Sequence, residues 1–202
     1  MYLLIPTLTV PTLDFDAMRR ELGIAAGDIA AEILKLPPDK QTLAWNVVER
    51  HERAALQRLR LQDGCQELLA ACRAAGIRLG LVTRNALFSV QELCRRFDLD
   101  FDTVVTREFR PLKPHPAPVL SILSEWRVNP RAVLVVGDYI HDLECGRTAG
   151  AVTCFFHNAG FPDWSASADF TVKSMAELAR LIFDRPPFDH PGESEAPVTS
   201  LH

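Results

Sequence analysis

The stretch "VLVVGDYIHDLECGRTAG" holds Asp138 and, four residues on, Asp142, where an apolar strand gives way to a helix. Gly137 lets the chain turn sharply there, and the two carboxylates then face one crevice. Oxygen ligands with open positions suit Mg²⁺, which usually takes one or two carboxylates plus water and a substrate phosphate. The plainer alternative is a capped helix start, where Asp is common anyway. "LVTRN" sets Thr83, Arg84 and Asn85 between a strand and a helix N-terminus, with Asn85 as the expected cap. A hydroxyl and free backbone N–H groups in such a turn can bind phosphate oxygens. Taken alone, Thr-Arg-Asn is also an ordinary strand exit. "REFRPLKPHP" holds Lys113 between prolines that stiffen its loop. A lysine so placed can neutralise phosphate and steady nearby carboxylates; alone, it is a solvated charge.

These residues need a scaffold that presents strand ends together. After Asp63 the chain alternates helix and strand. Helix 64–75, strand "IRLGLVT", helix "ALFSVQELCRRF", strand "DTVVT" and helix "PAPVLSILSEW" come first. Strand "AVLVVGD", helix 140–149, strands "VTCFFH" and "DFTV", and helix 174–183 follow. Strands this apolar between helices imply a parallel sheet covered on both faces. The expected class is α/β, a Rossmann-like doubly wound parallel sheet, with function in loops beyond the strands' carboxyl ends.

Ahead of it, residues 3–10 read as a strand broken by Pro6. Residues 14–61 form a block of helices: one capped by Asp14, one over "AGDIAAEILKL", and an amphipathic one from Asp39 to about Arg60. Leu43, Ala44, Val47, Val48, Ala54, Ala55 and Leu59 share the expected buried face of that last helix, with Glu49, Arg53 and Gln57 opposite. The organisation expected is a core of 1–13 plus 62–184, a small inserted helical unit at 14–61, and a Pro-rich, acidic tail at 185–202 that composition marks as disordered.

With 202 residues, 48% of them hydrophobic, the chain is long enough for one sizeable core. A net charge of −4 gives no electrostatic reason to expect nucleic acid or an anionic membrane as partner. No apolar run reaches bilayer length, and the first ten residues lack the basic flank and cleavage site of a signal peptide. Cys65, Cys72, Cys94, Cys145 and Cys154 are odd in number and lack C-x-x-C spacing, as expected of reduced, mostly buried thiols in a cytosolic protein. His51, His115 and His141 do not cluster and are read as surface or loop residues.

Thr, then Lys, then an acidic pair, each at a strand end, resembles the haloacid dehalogenase (HAD) superfamily of phosphatases. "TLTVPTLDFDAM", "TRNALFSVQELCRRFDLDFDTVVTREFRPLKPHPAP" and "VVGDYIHDLECGRTAGAVTCFF" look like a small HAD hydrolase branch akin to phosphoglycolate phosphatases. The resemblance implies a Rossmann-like core, a mobile cap corresponding to residues 14–61, Mg²⁺ as cofactor and a small phosphorylated metabolite as substrate. It also implies that Thr83, Arg84 and Asn85 bind phosphate, that Lys113 is the stabilising lysine, and that Asp138 and Asp142 hold the metal. A phosphoacceptor receiver domain uses similar residues, but its acidic pair precedes the Thr. A P-loop is absent.

The family's opening strand ends in D-x-D-G-T, whose first Asp attacks phosphorus and whose second is the general acid/base. Aligned on "TLTVPTLDFD", those aspartates fall at Leu3 and Ile5, with Pro6 at the glycine. Pro6 also removes a ladder N–H from a central strand. Asp14 to Asp16 form another D-x-D, but Ala17 and Met18 follow it, and it is read as helix cap and first turn. The sequence therefore implies either a HAD-fold, phosphate-binding protein without its chemistry or an enzyme whose N-terminus is altered by a different first exon or a misplaced start. In the second case an organellar transit peptide remains open beside the cytosolic reading.

Overall fold

The computed structural model describes residues 1–5, 7–159 and 161–184. The ladder position expected for Pro6 and the disorder expected of 185–202 lie outside the described residues.

Six strands run parallel in one sheet: β1 (Tyr2–Leu4), β2 (Arg78–Val82), β3 (Thr103–Val105), β4 (Val133–Gly137), β5 (Val152–Phe156) and β6 (Phe170–Val172). Their spatial order is β3-β2-β1-β4-β5-β6. This is the doubly wound arrangement, whose order reverses at β1 and leaves a crevice beyond β1 and β4.

Side-chain alternation divides the core between the sheet's two faces. Leu3, Ile5, Leu79, Leu81, Leu134, Val136 and Cys154 lie on one face, under α4 (Cys65–Ala74), α5 (Leu87–Phe97) and α8 (Met175–Phe183). Leu4, Val82, Val133 and Val135 lie on the other, under α6 (Ala117–Trp126) and α7 (Ile140–Thr148). Gly80 has a packing reason: a Cβ there would sit 2.5 Å from Leu4 Cδ2. The five cysteines are free, four of them buried, and burial pushes the thiols of Cys65 and Cys154 up to about 12. Among the described residues, no helix is long and apolar enough to cross a membrane.

The opening strand is shorter than the expected 3–10. Past Leu4, Gln62 N–H donates to Leu8 O and Val10 N–H to Arg60 O, both at 2.9 Å, and Thr9 pairs antiparallel with Leu61. Backbone groups used this way cannot extend the parallel ladder.

Three helices fill 15–56: α1 (Phe15–Leu22), α2 (Ile29–Leu34) and α3 (Pro38–Leu56), packed on a cluster of Met18, Ile29, Ile33, Ala44 and Val48. Asp14 caps α1 by accepting the Ala17 N–H, and Asp16 pairs with Arg19, so this D-x-D serves the helix. On α3, Leu43 is 67% exposed and Ala54 is exposed, against expectation. The buried stripe is Ala44, Val48, Glu52 and Ala55. Leu43, one residue from Ala44, points about 100° away from it. The expected cap at Asn85 is also displaced: α5 begins one residue later, after Ala86, with no side-chain cap.

Candidate functional site

The loops leaving β2, β3 and β4 meet beside the crevice. Lys113, from the loop after β3, is only 7% exposed and so is no solvated charge. Its Nζ donates to the β2 carbonyl of Val82 at 2.8 Å and to Asp142 Oδ1. Asp142 Oδ2 accepts the Tyr139 N–H at 3.2 Å, which fixes the carboxylate over the first turn of α7. Gly137 makes this approach possible by its size, at the point where the chain bends from β4 towards α7. A Cβ at Gly137 would sit 2.1 Å from Asp142 Cβ, and its φ is not positive.

Asp138 lies at the end of β4. Its Oδ1 accepts the Thr7 hydroxyl at 3.0 Å and its Oδ2 the Asn158 amide at 2.8 Å. Burial, and then the like charge of Asp142, raise its carboxyl above the ordinary value, and the Thr7 hydrogen bond, a backbone hydrogen bond and the Lys113 charge only partly offset them. Two crowded carboxylates with one balancing cation form an electrostatic environment that a further cation relieves. Their donors are all oxygen, which matches Mg²⁺ rather than a softer ion. Among the described residues, no group of three or more His, Cys, Asp and Glu side chains is arranged to hold a metal. A metal here would therefore rest on two carboxylates and complete its shell with water and ligand oxygens.

Thr83 follows β2, and its hydroxyl accepts the Asn85 N–H at 3.1 Å. Asn85 is exposed on the rim, and its carbonyl accepts the Arg107 N–H at 3.1 Å. Arg84 is already engaged by protein groups. One Nη donates to Asp28 Oδ1 at 2.5 Å, and the other bonds His141 Nδ1 at 2.6 Å. His141 is thus not a solvated loop residue: it lies in the first turn of α7 with its side chain 17% exposed. Burial and then the Arg84 charge lower its pKa, which favours a neutral ring accepting from Arg84. His51 is likewise half-buried, on α3 against Glu21. His115 is exposed in its loop, as expected.

The two positions aligned with the family's aspartates belong to the core. Leu3 and Ile5 are 0% exposed, and Leu3 pairs with Leu79 and Leu134. Asp138 lies four residues beyond Leu134, or about 13 Å along the strand at roughly 3.3 Å per residue. From this segment, Thr7 reaches Asp138.

Sequence reasoning missed Thr7, Asn158 and Asp28. Thr7 had a signal, since it falls on the motif's Thr in the same alignment. Asn158 and Asp28 had none. Also missed was a buried pair tying α3 to the loop after β3, Glu52 with Arg107, at 4% and 7% exposure.

Comparison with known proteins fits this geometry. The family described as haloacid dehalogenase-like hydrolase matches residues 9–156. A haloacid dehalogenase-like hydrolase domain-containing protein of Arabidopsis thaliana is 36% identical over 195 residues, covering 87% of this chain and 80% of the relative. Phosphoglycolate phosphatase of Nitrosospira multiformis is 33% identical over 165 residues, covering 77% and 70%. Among solved structures, CbbY from Rhodobacter sphaeroides in complex with phosphate superposes with a TM-score of 0.66 at 23% identity, covering 88% of this chain and 95% of that one. That likeness concerns the fold.

Proposed function

The chain belongs to the haloacid dehalogenase-like hydrolases, and on that premise we propose that it holds the phosphate- and Mg²⁺-binding part of a phosphatase site without the covalent part. Phosphate rests on Thr83 and Asn85 at the β2 exit, with Lys113 as the neutralising cation. Asp138 and Asp142 hold Mg²⁺, which when bound draws charge from a phosphate oxygen. Helices α1–α3 act as the cap that meets the rest of a small phosphorylated metabolite. The reduced thiols accord with a cytosolic setting.

The observation that carries this reading is the identity and burial of residues 3 and 5. Both are apolar and fully enclosed, and residues 1–13 contain no acidic side chain. That segment therefore offers no carboxylate to attack phosphorus or to act as general acid/base. Loss of a covalent nucleophile costs on the order of 10⁶ in rate, so the chain binds phosphate without turning it over. Calorimetric titration of inorganic phosphate, with and without Mg²⁺, tests the binding half. Binding that needs Mg²⁺ and disappears in Asp138→Asn supports it. No binding under either condition refutes it.

A second reading, a working Mg²⁺-dependent phosphatase acting through an aspartyl phosphate, is favoured by the pairing of Lys113 with Asp142, whose charges both act on Asp138, and by the phosphatases among the relatives. Steady hydrolysis of a phosphate monoester would decide for it.

A further inference from the structure

Arg84 sits on the loop expected to bind phosphate, yet its guanidinium is committed elsewhere. It joins a carboxylate of the cap, Asp28, to a ring on α7, His141. These side chains are 23%, 29% and 17% exposed, so all three are largely withdrawn from water. Asp28 Oδ1 also accepts the Ala31 N–H at 2.9 Å, which anchors it to the start of α2. Its other oxygen lies 3.8 Å from His141 Nδ1. Burial pushes the Asp28 carboxyl up, but the Arg84 and Ala31 hydrogen bonds and the Arg84 charge outweigh it, and the carboxyl stays ionised. Through Arg84, one cap carboxylate is therefore linked to the loops at the exits of both β2 and β4.

We propose that Asp28 is a positioning residue: by gripping Arg84, which in turn bonds His141, it holds the cap over the crevice and retains an anion bound beneath it. Arg84 is then a strut between cap and core rather than a phosphate ligand. For the identity of the anion this rests on the function proposed above; the contact between cap and core does not.

Asp28→Asn separates the grip from the helix. Asn caps a helix about as well as Asp, so α2 keeps its start while the ion pair loses its charge. A charge-assisted hydrogen bond is worth more than a neutral one but is weakened where water partly reaches it, so an effect of about tenfold is expected.

The experiment follows two readouts in the full chain. Hydrogen exchange of amides 15–34 should accelerate about tenfold in Asp28→Asn and equally in Arg84→Gln, with the double variant no faster than either. Arg84→Lys, which keeps the positive charge and leaves the α2 cap untouched, should hold exchange slower than Arg84→Gln does, which a change in cap folding alone would not explain. Inorganic phosphate, with Mg²⁺, should leave Asp28→Asn about tenfold faster than the unaltered chain. Unchanged exchange, or additive single effects, overturns the proposal. So does tighter phosphate binding in Asp28→Asn, which would mean that the carboxylate competes with phosphate for Arg84. If the unaltered chain binds no phosphate, the proposed function falls, and the exchange data still decide the clasp.

Discussion

The Thr7 hydroxyl donates to Asp138 Oδ1 at 3.0 Å across 131 positions of sequence, joining the segment after β1 to the end of β4. In a doubly wound sheet this is the crevice where the strand order reverses. A neutral donor occupies the side of Asp138 that faces the opening segment.

Thr7→Val keeps the shape of that contact and removes its donor. Asp138 Oδ1 then loses a partner in a buried setting, a loss of about 1–3 kcal/mol. Urea unfolding should show the drop at neutral pH. It should shrink in acid, because a protonated Asp138 needs that donor less.

Lys113 pairs with Asp142, its charge also favours ionised Asp138, and it is itself enclosed. Lys113→Met leaves Asp142 charged and unpaired in the interior. Breaking a buried ion pair from one side costs about 3–5 kcal/mol. The variant should unfold at markedly lower urea and should bind no phosphate at concentrations that saturate the unaltered chain.

Glu52 lets the sign of a pH effect be read. Burial raises its carboxyl, and the Arg107 charge only partly restores it. The folded state therefore holds its proton at higher pH than the unfolded state, so stability from this group is greatest in acid and falls as pH rises from about 4.3 through the raised value. Glu52→Gln removes that slope. The difference in unfolding free energy, unaltered minus variant, should decline across this window.

Leu3→Asp places a carboxylate in an apolar cluster with no partner, which costs several kcal/mol unless the group stays neutral. Thermal unfolding should fall sharply, with no gain in phosphatase activity. The position is family-aligned with a nucleophile but lies well short of Asp138 along the sheet.

Local patterns made much of this legible. An apolar strand followed by Gly-Asp and a second Asp singled out Asp138 and Asp142 as candidates, and prolines singled out Lys113, because these cues are contiguous. The doubly wound sheet followed from helix and strand alternation. What escaped was contact between distant segments: Thr7 with Asp138, Asn158 with Asp138, Asp28 with Arg84. No periodicity announces such pairs. Leu43 and Glu52 show the complementary limit, since a hydrophobic face read from helical spacing cannot tell which edge of the stripe the neighbouring elements will cover.

The central claim, binding without turnover, is tested most directly by incubating the chain with Mg²⁺ and p-nitrophenyl phosphate, beside its Asp138→Asn variant. The account predicts that neither releases p-nitrophenol above background, although the unaltered chain alone binds inorganic phosphate. Mg²⁺-dependent release by the unaltered chain, lost in Asp138→Asn, would contradict it.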